Sequence, residues 1–379
     1  MAEEETLAKD VSSGHEETQK AESSGKIPDF HELSMDKLSF WKEVSQNKIT
    51  VKLLDEKTST NRIYKVDIWD ESGSYVLKTL LVKKFTILGS TIDDGNTQIQ
   101  VFETLGEHGL GARVVYRSDD TLIKDFIEGS CLENDSFMYL PTLVSLASSL
   151  AKFHKFATGV ASPNWDRTPR LFKNIEAWIP RAREVVKEYD NYIDIEKLIG
   201  YFGDMRAILE KHFKESPAFT NNVRFCHNDL YCKNILETTS GIRLIDYDYS
   251  GFNYVGFDVS QIFNQVHIFF DPNDPKKFME YTTLDLPLEM KRFFVSVYLS
   301  EALERNVMLT DKLVDEFLAS LRIHTLGLGV FWSFAGIILL GTSKQTPVLP
   351  PEFLMRYSHV FCGLYEKTLQ ELKDLGVVN

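Results

Sequence analysis

Residues 223–263 read VRFCHNDLYCKNILETTSGIRLIDYDYSGFNYVGFDVSQIF, and the alternation of apolar runs and polar turns in that stretch decides the fold. An apolar strand (VRFC) runs into a polar turn (HNDLYCKN). A short strand (IL), a Thr-Thr-Ser-Gly turn and a second strand (IRLID) follow. β-branched and aliphatic residues fill the strands while Asn, Ser and Gly fill the turns, so polar loops are presented at strand ends. Loops held by a rigid scaffold are where chemistry is usually carried.

Two carboxylates and an amide occupy those loops. Asp229 lies in His227-Asn228-Asp229, Asn234 follows five residues later, and Asp246 closes the next strand. In a phosphoryl-transfer site one Asp orients and deprotonates the acceptor hydroxyl, while an Asn and a second Asp hold Mg²⁺ on the nucleotide phosphates. A lone H-x-D turn is ordinary turn chemistry. The triple with a hairpin between its halves is far more specific.

HNDLYCKN resembles the H-x-D-x-x-x-x-N catalytic loop of kinase-like phosphotransferases, and IDYDYSGFNYVGFD resembles the matching segment of choline/ethanolamine kinases. The resemblance covers most of the chain after about residue 36. It implies an α+β, protein-kinase-like bilobal fold: a small antiparallel β-sheet lobe with one helix, and a larger, mainly helical lobe. It also implies ATP and Mg²⁺ as cofactors, choline or ethanolamine as a small amino-alcohol substrate, and a homodimer. The expected divisions are an acidic disordered tail (1–29), a nucleotide-binding lobe with its hinge (30–127) and a catalytic and substrate lobe (128–379).

Composition agrees with an enzyme of that size. A 379-residue chain with 43% apolar content can bury large cores. A net charge of −13 argues against a nucleic-acid surface, which needs clustered Lys and Arg. Cys131, Cys226, Cys232 and Cys362 are scattered without metal or disulfide spacing, as expected in a reducing compartment. The opening MAEEETLAKD is acidic where a signal peptide is basic and then apolar. The apolar run from Leu326 to Leu340 is broken by Trp332, Ser333 and glycines and falls short of a membrane span. These features together predict a cytoplasmic protein.

Strands are expected at 50–54, 61–69 and 75–85, the last two joined as a hairpin by period-two alternation, and at 121–127. A short amphipathic helix is expected over about 30–46, and another over 98–108 stopped by Gly109 and Gly111. Further helices are expected at 140–156, 174–189, 195–215, 287–306, 311–342 and 351–375. His154 on the first of these reads as a buried, hydrogen-bonded core residue.

The resemblance assigns roles to individual residues. Asp229 is the base, with Asn234 and Asp246 the Mg²⁺ ligands. Ser59, Thr60 and Asn61 form the phosphate loop, although the family's glycines are absent there. Lys83 is the phosphate clamp, Lys84 facing the other way; Glu107 is its expected ion-pair partner, with Glu103 as the alternative. Asp125, Phe126 and Ile127 form the hinge. Tyr249, Gln265, Phe270 and Trp332 bound the acceptor, with Tyr365 less firmly placed. Gln265 stands where the family commonly has Glu, and Gly329 where it commonly has an aromatic residue, unless a register shift lets Phe331 fill in. Asp258 and His227 are expected to brace the catalytic loop, and Asp248 to belong either to the metal environment or to a turn. The competing readings are an ethanolamine or other amino-alcohol kinase, and a catalytically weak nucleotide-binding scaffold.

Overall fold

A computed structural model describes residues 33–38, 48–54, 61–85, 95–189, 193–266, 268–270, 278–280, 285–342 and 349–378. The first lobe is an antiparallel sheet of Ile49–Leu53 (β1), Arg62–Trp69 (β2), Val76–Lys84 (β3), Val114–Arg117 (β4) and Thr121–Asp125 (β5), in the order β1-β2-β3-β5-β4. Gly95–Glu107 (α1) lies between β3 and β4 in sequence.

Alternation assigns the two faces of the sheet. Tyr64, Val66, Ile68, Leu80, Val82 and Ile123 are buried on one face under Leu33, Met35 and Leu38. The other face carries Lys83, Leu122 and Lys124 toward α1. The β2–β3 turn is held by Asp70, whose carboxylate accepts from the Ser74 and Tyr75 N–H groups at 2.6 and 3.0 Å. Gly73 supplies the positive φ of 74° that the turn needs. The expected helix over 30–46 is represented by a single 3₁₀ turn, Met35–Lys37; residues 30–32 and 39–46 lie outside the described residues.

The second lobe opens with the short strand Ser130–Cys131 (β6) and the helices Leu140–Val160 (α2), Arg170–Val186 (α3) and Ile195–Glu215 (α4). Val223–Cys226 (β7), Ile235–Thr238 (β8), Gly241–Leu244 (β9) and Gly251–Tyr254 (β10) follow, with β7 paired to β10 and β8 between β6 and β9. Val255–Asn264 (α5) leads to the paired strands Ile268–Phe270 (β11) and Phe278–Glu280 (β12). Leu288–Leu303 (α6), Lys312–Leu340 (α7) and Pro351–Asp374 (α8) complete the chain.

α7 is the axis of this lobe. Asp311 caps it, accepting from the Leu313 N–H at 3.0 Å, a contact worth about 1 kcal/mol. Sequence placed its apolar run short of a span, yet the helix has 29 residues and is long and apolar enough to cross a membrane. Burial decides its role: 89% of its apolar window is covered by the protein itself. α8 packs so closely on α7 that a Cβ at Gly329 would meet the Phe361 carbonyl and Tyr365 at 2.9 Å. No aromatic side chain fits at 329 in this packing.

Candidate functional site

The catalytic turn leaves β7 at Cys226, and its backbone is held from below. Asn228 adopts φ 65°, a left-handed conformation that Asn tolerates better than most residues. Its N–H and that of His227 each donate to Asp258 on α5 at 2.8 Å. Asp258 also accepts from His154 Nε2 at 2.9 Å, and His154 Nδ1 accepts from the Tyr298 hydroxyl at 2.7 Å. Helices α2, α5 and α6 thereby grip one turn. Cys226, His154 and Asp258 lie close enough together to ligate a metal, but the imidazole nitrogens and both carboxylate oxygens are already hydrogen bonded to protein groups. His227 donates through Nε2 to the Ile245 carbonyl at 2.8 Å, leaving Nδ1 to accept from the Asp229 N–H. Burial lowers its pKa, so it braces as the neutral ring.

Asn234 brings the second half of the turn back. Its Nδ2 donates 2.9 Å to both the carbonyl and the carboxylate Oδ2 of Asp229. Gln261 on α5 makes a further side-chain hydrogen bond to Asp229. Burial, and then the charges of Asp246 and Asp248, hold the Asp229 pKa well above the usual carboxylate range. Asp246 follows β9 with φ 63°, the second strained non-glycine residue of the cleft.

Lys83 joins the lobes. Its Nζ lies 2.6 Å from Asp246 Oδ1 and 2.6 Å from both carboxylate oxygens of Asp248. Burial opposes the Asp246 charge, yet the Lys83 and Lys124 ammoniums outweigh it and hold its pKa at about 2. Asp248 is pushed up to about 6, first by burial and then by Asp246. Asn61 Nδ2 donates to Asp248 Oδ2 at 3.0 Å and Gln98 Nε2 to its carbonyl at 3.0 Å. Lys84 faces outward onto Asp120, as alternation requires.

Three expectations change. Glu107 does not pair with Lys83: it is exposed at the end of α1, and Glu103 pairs with Arg117 at 3.0 Å. Gln98, Val101, Phe102 and Leu105 define the buried face of α1; at about 100° per residue, Glu107 lies about half a turn away from Gln98. The acids that hold Lys83 come instead from the β9–β10 connection. Tyr365 rests against Tyr201, ring centres 4.6 Å apart, whereas Tyr357, two turns earlier on α8, feels the Asp229 charge. Phe331 is fully buried between Trp178 and Phe257 and also meets Tyr249 and Trp332 edge-on, ring centres 6.4 and 5.3 Å apart, so it stands behind the acceptor rings rather than at the position of Gly329.

The acceptor side is aromatic. Tyr249 and Trp332 meet edge-on at 5.2 Å between ring centres, and Tyr357 and Phe361 flank Trp332 at 6.3 Å. Tyr249 also feels the charge of Asp229. Gln265 is buried at the C-cap of α5, one turn beyond Gln261. Trp332 Nε1 and Gln261 Oε1 are buried without a hydrogen-bond partner among the described residues. Gln261, Gln98 and Tyr357 were not singled out in sequence; all three carry a polar tip on a buried helical face, which is the available signal.

At the hinge, the Asp125 and Phe126 N–H groups donate to Arg113 and Thr79, leaving Ile127 with no backbone bond to a described residue. The Asp125 carboxylate pairs with Arg113 at 3.1 Å, and Lys65 lies over the Phe126 ring. Ser59 and Thr60 lie outside the described residues, as does the side chain of Phe270.

The sequence model of choline/ethanolamine kinase matches residues 53–347. Probable choline kinase 1 of Arabidopsis thaliana is 26% identical over 308 residues, covering 79% of this chain and 83% of the relative. Ethanolamine kinase 2 of Rattus norvegicus is 22% identical over 301 residues, covering 78% and 71%. Among solved structures, choline kinase from Cryptosporidium parvum superposes with a TM-score of 0.78 at 22% identity, covering 92% of this chain and 97% of that one. Plasmodium vivax ethanolamine kinase superposes with a TM-score of 0.66 at 15% identity, covering 87% of each chain. At these identities the solved structures speak to the fold.

Proposed function

We propose, for a chain that belongs to the choline/ethanolamine kinase family, that it phosphorylates the hydroxyl of a small amino alcohol at the cleft between its lobes. One observation carries the reading: a half-buried carboxylate, Asp229, hydrogen bonded to Asn234, in the same cleft as the Lys83–Asp246 pair. Asp229 accepts the proton of the substrate hydroxyl. An elevated pKa matches it to that task better than an ordinary carboxylate would be. Asn234 and Gln261 hold its carboxylate from two directions, so orientation is fixed before substrate arrives.

The donor set fits a metal nucleotide. Asp246 and Asn234 offer the oxygen ligands that Mg²⁺ prefers, and Lys83 already lies on the carboxylates that a metal would engage. When bound, Mg²⁺-ATP supplies the transferred phosphoryl group and spreads its negative charge. With that group bound, Lys83 would act on the phosphates, Asn61 and Gln98 would hold Asp248, and Ile127 would offer its backbone to the base. The nucleotide lobe is read as residues 30–127 and the catalytic and substrate lobe as 128–379.

Tyr249, Trp332 and Tyr357 favour choline, because a quaternary ammonium has no N–H and gains from aromatic faces. The second reading is ethanolamine, favoured by Gln261 Oε1, a buried acceptor that a primary ammonium N–H would satisfy. The test is kcat/KM for both amino alcohols with Mg²⁺-ATP. A higher value for choline supports the first reading and a higher value for ethanolamine the second; background ADP release with both would sink the kinase assignment.

A further inference from the structure

Lys52, Lys65, Lys83 and Lys124 project from the same face of the sheet, and of these Lys83 and Lys124 are buried. Lys83 on β3 and Lys124 on β5 sit diagonally across the β3–β5 pair, since Lys83 pairs with Leu122 and Leu81 with Lys124. Diagonal neighbours on one face are within reach of each other's side chains. Both ammoniums lie against the same ring: Lys124 Nζ is 4.8 Å and Lys83 Nζ 5.4 Å from the centre of Phe102, so the two are within about 10 Å of each other.

Their partners differ. Lys83 holds two carboxylates, Asp246 and Asp248. Lys124 is only 9% exposed, yet no hydrogen bond or ion pair joins its ammonium to any described residue. A buried ammonium that has a ring face but no polar partner among the described residues is costly, and such groups are normally paired. Asp246 and Asp248 act on it from a distance. If those carboxylates engaged a metal ion, both lysines would face the cleft without a counter-charge, which the phosphates of a nucleotide would supply.

We propose that Lys124 is a second cationic ligand of the nucleotide, acting on its phosphates beside Lys83. The inference rests on the reading of this cleft as a nucleotide site, and it assigns the phosphates rather than the base because Lys124 shares the Phe102 ring with Lys83, the lysine that lies on Asp246 and Asp248. Burial, followed by the charge on Lys83, pulls the pKa of Lys124 down to about 8, so most of the group is still protonated at pH 7. Phe102 keeps it desolvated, which strengthens its pull on an anion.

The test is binding of Mg²⁺-ATP, ADP, AMP and adenosine to the full-length chain by calorimetry at pH 7, for wild type, Lys124→Met and Lys124→Arg. Removing one charge-assisted contact should weaken Mg²⁺-ATP by about tenfold or more, weaken ADP comparably and leave adenosine within about twofold. Lys124→Arg should retain most of the affinity. Lys124→Met should also melt at a higher temperature, since it removes an unpaired buried charge; loss of affinity with gain of stability is not what a packing role produces. If Lys124→Met fails to fold, Lys124→Gln takes its place in the same series. Equal affinity of wild type and variant for Mg²⁺-ATP, or an equal loss for adenosine, overturns the inference while leaving the kinase reading intact. Failure of the wild type to bind Mg²⁺-ATP overturns both.

Discussion

In the phosphate half of the cleft the polar groups, Lys124 apart, are held by the chain itself, whereas in the acceptor half Gln261 Oε1 and Trp332 Nε1 are left waiting. Asp246, Asp248, Asn61, Gln98 and Lys83 form one connected set spanning both lobes. Across Asp229, the acceptor wall is made of rings in edge contact, and its polar atoms, Gln261 Oε1 and Trp332 Nε1, lack partners among the described residues. The first arrangement is preorganised, with donors fixed before any ligand arrives. In the second, shape is fixed and hydrogen bonding is left for the ligand to complete. Chemistry is thus built into one half, and selectivity into what the other half lacks.

Asp229 lies on the boundary, so its removal should have the largest effect. Asp229→Ala should lower kcat by about 10³-fold while the affinity for Mg²⁺-ATP stays within about twofold. Steady-state turnover and nucleotide titration of the same preparation check it. A comparable loss of nucleotide affinity would show that the two halves are not separable.

Lys83→Met attacks the phosphate half alone. Because Asp246 and Asp248 lose the cation between them, a drop in kcat/KM for ATP of about 10²-fold is expected, with the KM for the amino alcohol little changed. A shift confined to the amino-alcohol KM would break the comparison.

The acceptor half should respond more mildly. Trp332→Leu keeps apolar bulk on α7 but removes the ring against Tyr249, and should raise the amino-alcohol KM by about tenfold while leaving the ATP KM alone. Initial-rate measurements with each substrate varied in turn distinguish the two. If choline and ethanolamine lose equally, the ring contributes packing rather than cation recognition.

The same contrast explains what could be read from the sequence. Asp229, Asn234 and Asp246 are close along the chain, and local spacing with turn chemistry placed them on the right loops. Strand alternation put Lys83 and Lys84 on opposite faces, and the family resemblance chose Lys83 as the inward one. Helices α2 to α4 and α6 to α8 lie where apolar periodicity placed them, with ends differing by a few residues. What escaped depended on distant packing. The partner of Lys83 was sought on α1, where the inward face ends in Leu105 and carries Gln98 rather than an acid. β10 and α5 escaped because a stretch buried on nearly every side has no periodicity to read. Gln261 bonds Asp229 and Tyr357 feels its charge only because α5, α7 and α8 converge, and the glycine at 329 is explained by α8 lying directly upon it.

The smallest effect expected concerns the foundation of the acceptor half. His324 on α7 lies beneath α5, where a Cβ on Gly256 would strike its ring, and it bonds Asn221 Oδ1 at 2.9 Å. Burial, and then the charge on His212, lowers its pKa from 6.5 to about 3. Between those values the unfolded chain binds a proton that the folded chain refuses, so this contribution to stability is complete above pH 6.5 and is lost as pH falls toward 3. The slope is at most about 1.4 kcal/mol per pH unit. His324→Gln keeps a donor for Asn221 without the titration. Its stability should therefore fall less than that of wild type between pH 7 and pH 5, by up to about 2 kcal/mol, as read from denaturant melts at both pH values. Parallel pH dependences would mean that α7 admits the proton, and that the platform under Tyr249 and Trp332 yields more readily than the phosphate half above it.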